Sequence, residues 1–115
     1  MAKQSGQVTG NLSGLILAVL EQGPLHGYAV AREIEKRSED ALSFGEGAIY
    51  PALRGLENDG FVLSSWDTEG PGAARKVYHL TPQGTAELAR FRESWNSYTR
   101  SVDRVLQGRP RLEGA

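Results

Sequence analysis

The sequence predicts a mostly α chain with one small β-hairpin (α+β): a winged helix-turn-helix followed by a long C-terminal dimerisation helix. Three observations predict it. The run Gly45-Glu46-Gly47-Ala48-Ile49-Tyr50-Pro51-Ala52-Leu53-Arg54-Gly55-Leu56-Glu57-Asn58-Asp59-Gly60 reads as a short helix closing on glycine. It leads straight into two β-prone segments, Phe61 to Trp66 and Arg75 to Leu80. An apolar series at heptad spacing then runs from Leu88 to Val105. A short helix running into a hairpin is the recognition helix and wing of a head that offers one helix to the major groove of DNA.

The elements follow in order. Residues 1–11 are polar and rich in Gly, Ser and Thr, and are expected to form a flexible tail. A first helix is expected from Leu12 to Gln22, with Asn11 as its N-cap. Leu12, Leu15, Ile16, Val19 and Leu20 make one apolar stripe on it, and Gly23-Pro24 stops it. A second helix runs from Gly27 to Ser38, with Val30, Ala31 and Ile34 inward and Arg32, Glu33, Glu35, Lys36 and Arg37 in water. Pro51 is tolerated in a first helical turn, which places the start of the third helix near Glu46 or Gly47. That helix ends at Asp59, with Gly60 as left-handed terminator. Its buried stripe is Ile49, Leu53 and Leu56, and Tyr50 and Arg54 share the other face.

The hairpin pairs 61–66 with 75–80 around a connection, Asp67 to Ala74, that holds Gly70-Pro71-Gly72. The fourth helix opens on Thr81-Pro82, an N-cap followed by proline at the first helical position. It continues to Gln107, roughly 39 Å at 1.5 Å per residue. Leu88, Phe91, Trp95, Tyr98, Val102 and Val105 form its seam. So long a helix on so small a domain has no chain of its own to cover that seam, and a second copy related by a two-fold axis is the simplest cover. The layout is therefore a tail over 1–11, a winged-helix head over 12–80, a dimerisation helix over 81–107 and a second flexible tail over 108–115.

Composition sets limits. The chain has 115 residues, 39% hydrophobic and 23% charged, which suits one globular domain. The absence of cysteine excludes disulfides and thiolate metal sites and fits a reducing cytoplasm. The longest apolar run, Leu15 to Leu20, is far short of a membrane span, and the polar N-terminus lacks a signal-peptide core. A cytoplasmic protein is expected. A net charge of −1 argues mildly against nucleic acid, although local distribution matters more than the total.

No phosphate loop, nucleophile motif or metal cluster is present, so neither an enzyme nor a cofactor is expected. The acid pairs Glu57/Asp59 and Asp67/Glu69 lack an apolar setting that would tune a proton donor. His26 and His79 lie on different elements; His26 is expected to cap the second helix or to position Tyr28. The candidate DNA contacts are Tyr28, Gly47, Ala48, Tyr50, Pro51, Arg54, Arg75 and Lys76. Arg54 can grip guanine or a phosphate, and Tyr50 can donate to phosphate; a solvated arginine and a half-buried tyrosine are the plainer alternative. The glycines Gly45 and Gly47 permit close backbone approach to a phosphate, or simply make a turn. Glu46 would oppose a phosphate and is expected to cap or turn away. Arg75 and Lys76 suit phosphate or minor-groove contact, or are an ordinary charged strand edge. The stripe Phe91, Trp95 and Tyr98 is dimer core, or a pocket for flat aromatic ligands walled by Leu12, Leu15 and Val19.

Taken together, several stretches resemble the PadR family of bacterial transcriptional regulators, in its short subfamily with a single C-terminal helix. They are Ile16-Leu17-Ala18-Val19-Leu20 with Gly23-Pro24-Leu25-His26-Gly27-Tyr28; Gly45 to Leu53 with Leu56-Glu57 and Gly60; and Arg75-Lys76-Val77-Tyr78-His79-Leu80-Thr81-Pro82-Gln83-Gly84. The resemblance implies a dimeric winged-helix repressor, often induced by a small molecule. In the multidrug-sensing branch a tryptophan on the last helix pairs across the dimer in a flat apolar pore, and Trp95 looks like that residue. The wing departs from the pattern in its acidic Asp67 and Glu69. The expected partners are double-stranded operator DNA, a second copy of the chain and a small planar aromatic effector, with no membrane. An effector would act by changing the angle or spacing of the two wings through the fourth-helix seam. The alternative reading is a winged-helix module for protein interaction or ligand sensing, without direct DNA binding.

Overall fold

A computed structural model describes residues 3–70, 72 and 74–108. Its elements are α1 (Lys3–Leu20), β1 (Leu25–His26), α2 (Gly27–Arg37), α3 (Glu46–Asn58), β2 (Val62–Asp67), β3 (Arg75–Leu80) and α4 (Pro82–Gln107). The strands form one antiparallel sheet in the order β1-β3-β2. The apolar stripes read from the sequence converge on one core. Ile16, Leu17 and Leu20 of α1 meet Val30 and Ile34 of α2 and Ile49, Leu53 and Leu56 of α3. Val62, Tyr78 and Leu88 close it from the sheet and α4. Each such aliphatic side chain, fully buried, contributes about 1.5–3 kcal/mol. The head is thus a mostly helical winged helix, as expected.

Two junctions fix the wing and α4 relative to α3. Gly60 takes φ +82°, and the Phe61 amide donates back to the Leu56 carbonyl at 2.9 Å, which turns the chain from α3 into β2. Thr81 caps α4 as expected: its hydroxyl oxygen accepts from the Gly84 amide at 2.9 Å while donating to the Gly60 carbonyl at 2.7 Å. Gly84 is required there, because a Cβ would lie 2.1 Å from the Phe61 carbonyl oxygen.

Several expectations are corrected. The first helix begins at Lys3, not Leu12, so Asn11 lies inside it rather than capping it, and 3–10 are helical rather than a tail. Once Leu12–Leu20 is anchored in the core, adding upstream residues needs only propagation, and no proline blocks it. Leu25-His26 forms a strand that two residues are too few to announce by alternation. Helix α3 starts at Glu46 as expected, but Pro51 is its sixth residue and lies in the second turn. It therefore withholds a donor from the Gly47 carbonyl, four residues back. Both residues are exposed, so water can serve that carbonyl. Pro71, Ala73 and the expected tail from Arg109 to Ala115 lie outside the described residues.

Candidate nucleic-acid interface

The buried stripe of α3 leaves its opposite face open. Gly47, Ala48, Pro51 and Arg54 are all exposed, and nothing stands within 4 Å of where a Cβ on Gly47 would be. Tyr50 is different. It is half-buried, and its ring lies on Gly27 so closely that a Cβ there would be 2.5 Å from the ring. Tyr50 thus sets the spacing between the start of α2 and α3, and only part of its side chain is left for a partner. Tyr28 is 60% exposed, and the Arg32 guanidinium sits 5.9 Å from its ring centroid. Tyr28, Arg32, Phe44, Gly45 and Tyr50 line one cleft of about 160 Å³ beside the N-terminus of α3. Among the candidate contacts, the structure places Tyr28 and Tyr50 at that cleft, with Gly47 and Ala48 in the first turn of α3 and Pro51 and Arg54 about one and two turns beyond Gly47.

The register of the wing decides its charge. Asp67 stands opposite Arg75, and Trp66 opposite Lys76, whose ammonium lies 5.8 Å from the indole centroid. Asp67 turns back onto the head: its Oδ2 is 3.3 Å from His26 Nε2, and its Oδ1 accepts from the Glu69 amide at 3.2 Å. His26 Nε2 is buried and its approach to Asp67 is not that of a well-directed hydrogen bond, so the two side chains are close neighbours rather than a bonded pair. This corrects the expected role of His26. It occupies the N-cap position of α2, but its side chain caps nothing and faces the wing instead. One of the two acids that weigh against a phosphate-binding wing is thereby drawn away from the tip.

Elsewhere most arginines are occupied, although Arg100 and Arg104 of α4 also make no ion pair among the described residues. Arg37 pairs with Glu33, Arg90 with Glu87, and Arg92 with Glu21. Among the described residues, Arg54, Arg75 and Lys76 make no ion pair, and all three are exposed. Unpaired cations on a protruding helix and its wing are what phosphate contact requires.

Helix α4 leaves the core as it proceeds. Leu88 is 1% exposed, so it packs within its own chain and has no surface to offer a second subunit. The open part of the seam begins at the half-buried Phe91 and passes through Trp95 and Tyr98 to Val105, which is 78% exposed. Phe91 and Trp95 stack with ring centroids 6.5 Å apart and planes 11° from parallel. Gly14 admits the Phe91 ring, since a Cβ there would meet it at 2.5 Å. Arg92 holds Glu21 of the segment after α1 through two bonds of 3.0 and 3.1 Å. Beside Trp95 lies an open apolar cavity of about 440 Å³, walled by Asn11, Leu15, Leu42, Phe44, Phe91 and Trp95. Leu15, Phe91 and Trp95 were expected there. Leu12 and Val19 are instead core residues, and Tyr98 stands off the wall. Leu42 and Phe44 were missed, because a loop residue carries no periodicity to mark it. Among the described residues there is no His/Asp/Glu group able to hold a metal ion, and no helix is long and apolar enough to cross a membrane.

The PadR-like family of transcriptional regulators matches residues 16–90. A negative transcriptional regulator PadR of Bacillus subtilis is 32% identical over 73 residues, which are 64% of this chain and 40% of that protein. Its structure in complex with operator DNA matches with a TM-score of 0.63 at 30% identity, over 70% of this chain and 45% of that one. A transcriptional regulator of Mycobacterium tuberculosis is 33% identical over 78 residues, 68% of this chain and 69% of that protein. A transcriptional regulator from Clostridium thermocellum matches in fold, with a TM-score of 0.79 at 24% identity over 87% of this chain and 94% of that one.

Proposed function

This chain belongs to the PadR-like family of transcriptional regulators, and on that premise we propose that it is a cytoplasmic homodimeric repressor that binds operator DNA and is released by a small planar aromatic effector. One observation carries the DNA reading: the free face of α3, with Gly47, Ala48, Pro51 and Arg54, lies on the same head as the unpaired cations Arg75 and Lys76 of the wing. In this reading Arg54 contacts a base edge or phosphate in the major groove, and the amides of Gly47 and Ala48 approach the backbone at the start of α3. Tyr28 and Tyr50 border the same phosphates, and Arg75 and Lys76 contact the adjacent backbone or minor groove. The neighbouring B. subtilis PadR, seen with operator DNA, supports the DNA partner.

The layout follows from the helix lengths. Residues 12–80 read DNA, and 81–107 pair two subunits together with α1. What supports pairing is the run of exposed Trp95, Tyr98 and Val105 with half-buried Phe91 and Val102, an apolar stripe with little of its own chain over its far end. Two heads about a two-fold axis would place their α3 helices in successive major grooves, about 34 Å apart, on a pseudo-palindromic operator. The effector reading rests on the apolar cavity beside Trp95.

A pull-down of fragmented genomic DNA by the purified chain, sequenced at two salt concentrations, tests the proposal. Enrichment of a few sites sharing an inverted repeat, lost at high salt, is the expected result. No enrichment at low salt would overturn the DNA reading and leave a module for protein or ligand binding.

A further inference from the structure

The two neighbouring cations of the wing stand on opposite sides of it. Successive residues of a strand point to opposite faces, and directly opposed residues of an antiparallel pair share a face. Val62 and Tyr78, both in the core, mark the face turned to α3. Ser64 lies on that face too, and its hydroxyl donates to Oε2 of Glu57 in α3 at 2.6 Å. Counting on by two, Trp66 follows Val62 and Ser64, and Lys76 precedes Tyr78. Trp66 and Lys76 are opposed in the ladder and so form one pair on the α3 side. Arg75 falls on the other face, opposed to Asp67.

The pair lies where the sheet has left the core. Tyr78 is 6% exposed, whereas Trp66 is 64% exposed and Lys76 is open to solvent. The bond from Ser64 to Glu57 fixes the strand against α3 about 6.6 Å before Trp66, so the pair has a firm base. With its ammonium 5.8 Å from the indole centroid, Lys76 is held near one position while its charge still faces outward. Single exposed apolar side chains are common, but tryptophan joins the largest apolar body to a polar N–H and is favoured where one end meets a partner. Both the indole N–H and the ammonium donate and neither accepts. A phosphate offers acceptors alone, beside the apolar flank of a sugar. The chemistry of the pair matches one sugar-phosphate unit.

We propose that Trp66 and Lys76 form a single contact for the DNA backbone on the α3 side of the wing: the ammonium pairs with a phosphate, and the indole packs on the adjoining sugar and donates its N–H to the same phosphate. This rests on the DNA reading above, and it adds an uncharged residue to the interface while dividing the work of the two cations. Arg75, on the far face, has the Asp67 carboxylate opposite it, which weakens the local attraction for a phosphate. Its share of the affinity is the smaller one, although its charge equals that of Lys76. A backbone contact places the wing without reading sequence, so Trp66 and Lys76 serve operator and unrelated DNA alike.

The test titrates the full chain with two duplexes, the operator recovered by the pull-down and one of scrambled sequence, over a range of salt. Lys76→Gln should weaken both about three- to tenfold and flatten the slope of log affinity against log salt by about 0.9. Trp66→Ala should weaken both by a similar factor, and Trp66→Phe, which keeps a ring but not the N–H, by less. Combined with Lys76→Gln, Trp66→Ala should cost less than the product of the two single effects. Arg75→Gln should cost less than Lys76→Gln. Urea melts of the variants should match the wild type, since all three side chains are exposed. The chain has two tryptophans, so labelling with 5-fluorotryptophan gives two fluorine signals. The one absent from Trp66→Phe should shift when either duplex is added. Wild-type binding by folded Trp66→Ala, or a Trp66 signal that DNA does not move, overturns the contact while the DNA reading stands, and leaves the ring as a surface for a protein. A loss confined to the operator overturns the backbone role. Single effects that simply multiply overturn the joint contact, and an Arg75→Gln as costly as Lys76→Gln overturns the division of faces. A wild type that binds neither duplex at low salt overturns this proposal and the DNA reading together.

Discussion

Replacing Gly27 with alanine should push α3 away from α2. The new Cβ would lie 2.5 Å from a Tyr50 ring carbon and 2.8 Å from its hydroxyl oxygen. Carbon atoms rest at about 3.5–4.0 Å, so the ring must retreat by roughly 1 Å. Tyr50 sits directly after the buried Ile49, so its retreat pulls on a helix fixed in the core. Overpacking of this kind costs about 1–3 kcal/mol. Alanine is a better helix former than glycine by about 1 kcal/mol, which offsets part of it. The net loss should be about 0–2 kcal/mol, read as a lower urea midpoint at unchanged slope. With Tyr50→Ala already present the clash is gone, and Gly27→Ala should then stabilise by up to about 1 kcal/mol. That change of sign is the test. An equal effect of Gly27→Ala in both backgrounds would refute the contact as the cause.

Three further outcomes are expected. Gly84→Ala should cost about 3 kcal/mol, the top of the overpacking range, because its Cβ meets the Phe61 carbonyl at 2.1 Å and backbone yields less than a ring; a denaturant melt reads it. Arg54→Ala should weaken operator binding by about 1–3 kcal/mol in fluorescence anisotropy, with no change in melting, since the side chain pairs with nothing in the described fold. The hydrogen bond from Arg92 holds the Glu21 carboxyl below its ordinary 4.5. Its contribution is therefore present above that value and lost as pH falls through the lowered native one. Carbon-detected NMR titration should show the carboxyl rising toward 4.5 in Arg92→Gln; no rise would remove Arg92 as the cause.

Legibility followed the kind of signal each part leaves. The stripes Ile49, Leu53, Leu56 and Leu12 to Leu20 are periodic, and they place the core directly. Gly60 and Thr81-Pro82 are local stop and start chemistry, and both junctions lie where that chemistry puts them. Strand β1 leaves no such mark, because its pairing with Val77 and Tyr78 is a long-range event. The approach of His26 to Asp67 is likewise long-range and could not be read from either residue. Leu88 belongs to the heptad series, yet it is covered by its own chain: spacing shows which face is apolar and not what covers it. Leu42 and Phe44 became visible only when folding brought a loop beside α4.

The most direct test of the account is a hydroxyl-radical footprint on the recovered operator, for the wild type and for Arg54→Ala. Two protected patches about one helical turn apart, symmetric about the repeat and weakened in the variant, are the expected result. Protection that is uniform along the DNA, or indifferent to Arg54→Ala, would contradict a paired reading of the operator by α3.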